Sequence, residues 1–466
     1  AILDLSAGGA QPMHSSNSEC VITFNGEIYN FETLKSHELL RDVKFQGSSD
    51  TEVLLQFYRQ SSSVSDFIGN LLPLFNGMFA FAIWDEVKQV GLIARDRFGV
   101  KPLYYSLGDS AVAFASEIKA LQASNHPRSV AEAVGVKFDK GNVNFINSNA
   151  LDGHMNYLWN PNDSSLFPGV KKLGPGEWLL FGADGSVDVA NWAENIKVPR
   201  IYCSSKKALA KSAAGIVSDV AKLTRDAVHA QMISDVPVGA FLSGGLDSST
   251  IVTFAREKNP NLQCFTIRGQ GYDFEGIEND YPYAKAVASH LNVALVTVDV
   301  TPSDFIEQLY KMVEVLEEPT ADPAALNVLY ISEVARRNGI KVLLSGTGGD
   351  DVFSGYRRHL AIYHSKKWSL LPITFRKLIE SWSTNLASDG GYKRRVKKLL
   401  NGFSMSEEDY LLNCFRWSSD IDLFSVYSRD FKEKLKSCKS DQAMSAFLLN
   451  CGNDMSQLKK TLAMER

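Results

Sequence analysis

The stretch "VPVGAFLSGGLDSSTIVTFAR" (Val236–Arg256) decides how the second half of the chain is read. Val238–Leu242 is short, apolar and suited to a buried strand. "TIVTFAR" continues as a helix, and between the two lies the glycine-rich turn Ser243–Ser249. A strand that breaks through such a turn into a helix N-terminus presents successive backbone N–H groups and the positive end of the helix dipole, which favour an anion. Gly244 and Gly245 let the backbone come close to a phosphate, and Asp247 and Ser248 can reach a metal or phosphate oxygens. No Gly-Lys-Ser/Thr follows, so this is not a Walker loop. A tight strand–helix turn without a ligand is the plainer alternative. A second turn, "LLSGTGGDD" (Leu343–Asp351), repeats the Leu-Ser-Gly opening and closes on two acids.

Working outward, strand candidates Val238–Leu242, Cys264–Ile267, Ala294–Val300 and Val342–Leu344 alternate with helical segments. That is the pattern of a doubly wound parallel sheet with covering helices. Ligands of such sheets bind across the C-terminal strand ends, where turns converge, so two similar turns suit one nucleotide. Leu209, Ala213, Ile216, Val220, Leu223 and Ala227 mark an amphipathic helix entering this region. Beyond about residue 360 the pattern is mainly helical.

Residues 1 to about 193 read instead as β-rich. Cys20–Asn30, Gly77–Asp85 and Val90–Asp96 are strand candidates, and Asp50–Gln60 is a helix with Val53, Leu54 and Phe57 on one face. Leu173–Trp192 reads as a hairpin turning at "ADGS". Residues 121–168 are polar and read as a connecting excursion rather than a second core. The expected domains are 1–193 and 204–466.

At 466 residues, with 45% hydrophobic and 22% charged residues, the chain suits two or three globular domains. Its net charge of −4 implies no general attraction to nucleic acid or to an anionic membrane. No apolar run approaches a membrane span, and no signal peptide is visible. Six cysteines are scattered without a CxxC pair, and the eight histidines form no metal-binding spacing. A cytoplasmic location is expected. The ends, "AILDLS" and "LKKTLAMER", read as those of an internal fragment.

"FNGEIYN" (Phe24–Asn30), "GSSDTEVLL" (Gly47–Leu55), "FNGMFAFAIWD" (Phe75–Asp85) and "RDRFGVKPLYY" (Arg95–Tyr105) together resemble the class II glutamine amidotransferase domain. "SGGLDSS" resembles the pyrophosphate loop of the N-type ATP pyrophosphatases. In this order they resemble glutamine-hydrolysing asparagine synthetase over nearly the whole chain, weakly across 121–160 and beyond 365. The resemblance implies an antiparallel αββα sandwich of the Ntn-hydrolase type, then a doubly wound ATP pyrophosphatase sheet with a helical C-terminal part. It implies the Asn25 amide and the Gly26 N–H as oxyanion donors, a role that glutamine hydrolysis requires. Glu27 and Asp50 would hold the glutamine α-ammonium, with the backbone of Ile2 and Leu3 alongside. Ser243, Gly244, Gly245, Asp247 and Ser248 would hold ATP phosphates. Leu242 and Ile267 would flank its nucleoside, and Ser345 and Gly346 would close over it. Asp247 and Asp350 would stand near Mg²⁺. Glutamine, ATP and a carboxylate acceptor are the implied partners, and the resemblance leaves a homodimer open.

The family's nucleophile is an N-terminal cysteine activated by its own α-amine, with a carboxylate-binding arginine nearby. Neither stands in this sequence, and Cys20, inside a strand pattern, is no substitute. This chain alone is therefore expected not to hydrolyse glutamine. The family's Asp-Arg/Lys-x-Ser-Met-Ala type motif and catalytic lysine do not occur before Arg466 either. Thr347 stands where asparagine synthetases carry a glutamate, and a hydroxyl cannot act as a base near pH 7. The acceptor is thus open between aspartate and another acid: a sugar uronic acid in surface-polysaccharide assembly, or a carboxylate cyclised as in β-lactam synthetase. The other class of reading is a non-catalytic interaction or regulatory module. Arg357 and Arg358 could meet phosphate, or could equally be solvated or helix-capping.

Overall fold

The structure, a computed structural model, describes residues 2–108, 111–123, 146–193, 212–269, 280–320, 322, 324–368, 370–384, 396–397, 399–418, 420–435, 441–451 and 455–464. In the first half, strands β1 (Met13–His14), β2 (Cys20–Ile28), β3 (Gly77–Asp85), β4 (Val90–Arg95), β8 (Glu177–Gly182) and β9 (Val187–Asn191) form a six-stranded antiparallel sheet in the order β1-β2-β3-β4-β8-β9. A three-stranded sheet, β6-β5-β7, is made of β5 (Tyr104–Leu107), β6 (Val112–Ala115) and β7 (Lys171–Lys172).

The alternation along β3 builds the layers. Phe79, Phe81 and Ile83 pack with Ile22, Leu92 and the Val53, Leu54 and Phe57 face of the Asp50–Gln60 helix. Each fully buried side chain of this size contributes about 1.5–3 kcal/mol. The small residues Ala80 and Ala82 face the other way, toward Leu103, Tyr105 and Leu179, and let the small sheet approach. Ile118 and Leu121 of a short helix cover that sheet's far side with Tyr104 and Ala113. The result is the expected αββα sandwich.

The connection from β4 to β5 explains the "RDRFGVKP" stretch. The buried Asp96 carboxylate accepts the N–H groups of Phe98 (3.1 Å), Val100 (3.0 Å), Lys101 (3.0 Å) and Phe79 (3.2 Å). Arg95 donates to the carbonyls of Lys101, Leu173 and Gly99, each at 2.6 Å. Both charges thus serve to join the two sheets.

In the second half, β10 (Val238–Phe241), β11 (Gln263–Gly269), β12 (Ala294–Val300) and β13 (Val342–Leu344) form a parallel sheet in the order β12-β11-β10-β13. Helices Ala213–Gln231, Leu246–Lys258 and Tyr281–Leu291 cover one face through Val228, Val252 and Ala284. Helices Pro302–Val315 and Ala324–Arg337 cover the other through Met312, Leu326 and Ile331. The strand order reverses between β10 and β13, so the crevice of a doubly wound sheet opens there.

The polar excursion requires a correction. Residues 124–145 lie outside the described residues, but Ser148–Tyr157 is a helix. Its Tyr157, 2% exposed, is buried among Ile362, Leu411, Leu412, Met444 and Leu448 of the C-terminal helices. Trp417 donates its N–H to the Asn156 carbonyl at 2.7 Å, and the Tyr427 hydroxyl donates to Asp152 at 2.9 Å. A largely polar segment joins a core here because distant helices supply the apolar surface. Of the amphipathic helix, Leu209 lies outside the described residues, as do Cys203 and Cys438.

Candidate active site

Strand β2 carries Asn25, Gly26 and Glu27 opposite Ala80, Phe79 and Met78. A Cβ on Gly26 would collide with the Met78 carbonyl, so only glycine allows the strands this approach. The Asn25 amide donates to the Ser116 hydroxyl at 3.0 Å. Glu27 is 3% exposed, and its Oε1 accepts no hydrogen bond from any described residue. Burial, and next the charge of Asp50, push its carboxyl up to about 7, with Lys101 pulling the other way.

Asp50 opens the Asp50–Gln60 helix behind the N-cap Ser49. It accepts the Ile28 N–H at 2.9 Å and the Thr51 N–H at 2.8 Å. Burial raises its pKa nonetheless. Two adjacent buried carboxyls, one with an unpartnered oxygen, suit a cation. The Ile2 carbonyl accepts the Asp235 N–H at 3.0 Å, and Leu3 packs on the β2–β3 core. Asp4 accepts the Ser48 N–H at 2.8 Å, which keeps this segment beside the loop leading to Asp50. The Cys20 thiol is buried and pushed up to about 11, mainly by that burial, so it is a packing residue.

The crevice of the parallel sheet gathers the second set. Leu242 continues β10, donating its N–H to the Phe265 carbonyl at 2.9 Å, and Ile267 lies on β11. Gly244 has φ +82, and a Cβ there would strike the backbone of Tyr283. The Ser243 and Ser248 hydroxyls lie 2.9 Å apart, and the Gly245 N–H donates to Ser243 Oγ at 3.3 Å, so hydroxyls knit the turn.

Leu344 on β13 pairs with Ala240 on β10, which brings Ser345–Gly346 alongside the first turn. A Cβ on Gly346 would come within 2.7 Å of the Ser248 nitrogen, and one on Gly349 would strike the Asp247 carboxylate. The second turn is therefore seated on the first helix's N-terminus. Burial, then the charge of Asp350, raises the pKa of Asp247. Among the described residues neither acid is ion-paired, and no group of three or more His, Cys, Asp or Glu is gathered for a metal. Thr347 is exposed; its N–H donates to Ser345 Oγ at 3.1 Å, and the two hydroxyl oxygens lie 2.7 Å apart. Arg358 sits 3.9 Å from Asp351, with its guanidinium over the Tyr356 and Phe415 rings.

Sequence reasoning missed the contact between the halves. Glu318, in the loop after the Pro302–Val315 helix, accepts the Leu166 N–H at 2.9 Å and pairs with Lys172 at 2.5 Å and His154 at 3.5 Å. Burial alone would raise its pKa, but these partners bring it down to about 2. Glu317 accepts the Lys119 N–H at 3.1 Å, and Asp4 donates its N–H to Asp235 at 2.8 Å. No local pattern marks these residues in the sequence.

The glutamine amidotransferase domain family matches residues 1–192, and the asparagine synthase family matches residues 219–450. A putative glutamine-hydrolysing asparagine synthetase 2 of Methanocaldococcus jannaschii is 33% identical over 451 residues, covering 93% of this chain and 77% of that protein. This chain belongs to the glutamine-hydrolysing asparagine synthetase family. Asparagine synthetase 1 of Bacillus subtilis is 32% identical, covering 81% of this chain and 54% of its own length. A putative relative from Mycobacterium bovis is 31% identical, covering 90% and 60%. The chain thus spans between half and two-thirds of the length of these last two. Among the described residues no helix is long and apolar enough to cross a membrane.

Proposed function

We propose that the whole protein releases ammonia from glutamine in its first half and uses it in the second to form an amide on an ATP-activated carboxylate. The observation that carries this is the pairing, in one chain, of the buried Glu27–Asp50 carboxyls beside Asn25–Gly26 with the crevice where Gly346 and Gly349 press onto Asp247–Ser248. In the first site Glu27 and Asp50 bind the glutamine α-ammonium, and the Asn25 amide with the Gly26 N–H stabilises the tetrahedral oxyanion. The attacking thiol is not Cys20, whose burial holds it protonated. In the second site the backbone N–H groups of Ser243–Ser249 hold the pyrophosphate portion of ATP, Leu242 and Ile267 flank the nucleoside, and Ser345–Gly346 covers it. Asp247 and Asp350 fit Mg²⁺, which is typically held by one or two carboxylates plus phosphate oxygens and would neutralise the leaving pyrophosphate.

A second reading concerns the acceptor alone. Thr347 bonds to Ser345 and carries no charge, which favours an acid other than free aspartate, a uronic sugar first. One assay tests both: the whole protein with glutamine, ATP and a panel of carboxylic acids, with products resolved by mass. AMP, glutamate and an amide in equal amounts are expected. No glutamine- or ATP-dependent amide with any acid would overturn the function, and asparagine alone would overturn the second reading.

A further inference from the structure

We infer that Ser116 is a positioning residue for the oxyanion donor Asn25, and that Lys119 anchors it to the nucleotide-binding half. This rests on the glutaminase reading above. A side-chain amide presents an N–H₂ end and a carbonyl end, and its terminal torsion is broad and roughly two-fold. Unheld, Asn25 would spend part of its time with its carbonyl toward the developing oxyanion, which repels it. The Ser116 hydroxyl accepts one Asn25 N–H at 3.0 Å. In this arrangement the bond restrains the amide's rotation and leaves the second N–H for the oxyanion.

Ser116 directly follows β6, and the half-buried turn that carries it leads into the Ile118–Ala123 helix. Lys119 in that helix is bound across the interface four times. Its N–H donates to Glu317 Oε2 at 3.1 Å, its ammonium donates to the Glu314 carbonyl at 2.7 Å and the Val315 carbonyl at 3.4 Å, and the same ammonium lies 3.4 Å from Glu317 Oε1. Glu317 is a firm anchor, its side chain only 13% exposed. Beyond it the chain enters the Ala324–Arg337 helix, then β13 and the Ser345–Asp350 turn. The support of the glutaminase donor is therefore held by the half that holds the nucleotide crevice.

The test is steady-state glutamine hydrolysis by the whole protein and its variants. Ser116→Ala should lower kcat by about tenfold, the worth of one hydrogen bond, with KM nearly unchanged. Ser116→Thr, which keeps the hydroxyl, should restore most of the rate. In an Asn25→Ala background Ser116→Ala should cost nothing further, because Ser116 acts through Asn25. Lys119→Met should lower kcat a few-fold, and again only when Asn25 is present. Ammonia-dependent AMP formation should be unchanged by Ser116→Ala. An unchanged kcat, a loss that persists without Asn25, or equal loss of glutamine- and ammonia-dependent activity would overturn the Ser116 assignment. A Lys119→Met variant with the wild-type rate would overturn the anchor. A wild-type protein that releases no glutamate would defeat the glutaminase reading itself; an active wild type with an indifferent Ser116 defeats only this inference.

Discussion

The two candidate sites differ in what holds them. In the first, buried side chains define the pocket: Glu27 and Asp50 are 3% and 4% exposed, and β2, β3 and a helix N-terminus fix them. In the second, backbone defines it: glycines let one turn lie on another, while Leu246 is 83% exposed and Thr347 faces solvent. The first arrangement fits a small ligand whose charges are known in advance. The second fits a large polyanion that brings its own charge and any cation with it. Side-chain deletion should therefore damage the first site most, and backbone crowding the second.

The largest effect should come from Asn25→Ala. Removing one oxyanion donor costs about 10²–10³ in rate, so glutamine-dependent turnover of the whole protein should fall by that order. Ammonia-dependent synthesis should be spared, as measured by AMP release with ammonium in place of glutamine. Equal loss in both assays would mean that the variant is misfolded and would leave the oxyanion role without support.

Next comes Gly346→Ala. The new methyl would come 2.7 Å from the Ser248 nitrogen and 2.9 Å from the Asp247 carbonyl carbon, both backbone atoms that cannot swing aside. A displacement near 1 Å at a reacting centre can cost about 10² in rate, so AMP formation should fall by roughly that factor while glutamate release from glutamine persists. If Gly346→Ala keeps full AMP formation, the seating of the second turn on the first is not what the nucleotide needs.

Glu27 gives the comparison a pH axis. Its carboxyl is raised from 4.5 to about 7, so the folded protein without ligand holds a proton that the unfolded chain has released between those values. Its stability contribution therefore falls as pH rises through that window. Binding of an α-ammonium needs the ionised form, so glutamine KM should rise by up to about tenfold per unit as pH drops below 7. Glu27→Gln should bind glutamine weakly at every pH and lose that slope. An unchanged slope in the variant would assign the titration to another group. The nucleotide crevice should show no such dependence on Glu27.

Legibility in the sequence followed the same division. β12 and β13 begin and end where the sequence placed them, as do β3 and the Asp50–Gln60 helix. Their signals are local: apolar alternation, and glycine turns at the strand ends. The two crevice turns were legible for that reason. Ser116 was not, because nothing around it in "FASEIKAL" distinguishes a serine that meets Asn25 from one that meets water. Lys119 and Glu317 lie 198 residues apart, and their contact exists only once both halves have folded. Strands β5 and β7 were missed because they are four and two residues long, too short for periodicity to show. The Ser148–Tyr157 helix reads in the sequence as part of a connecting excursion because the surface that buries Tyr157 comes from helices more than two hundred positions away.

The smallest expected change is also the one that decides the acceptor. Thr347 lies exposed in the second turn, between Gly346 and Gly348, with its hydroxyl bound to Ser345. A group there can help the incoming ammonia only by hydrogen bonding, since a hydroxyl neither carries charge nor takes a proton near pH 7. The resemblance implies a glutamate at this position in enzymes that use aspartate. Thr347→Glu has room, because the side chain is exposed and no Cβ is added to a glycine. It would bring a third carboxyl near Asp247 and Asp350, so some loss of ATP affinity is expected from like-charge repulsion unless Mg²⁺ is saturating. At saturating Mg²⁺ the variant should raise asparagine formation from aspartate a few-fold, within the factor of about 10²–10⁴ that general acid–base catalysis can supply. It should lower amide formation on the native acceptor. If wild type already turns over aspartate well and Thr347→Glu changes nothing, then Asp350 or Asp351 serves in its place and the position does not set the acceptor.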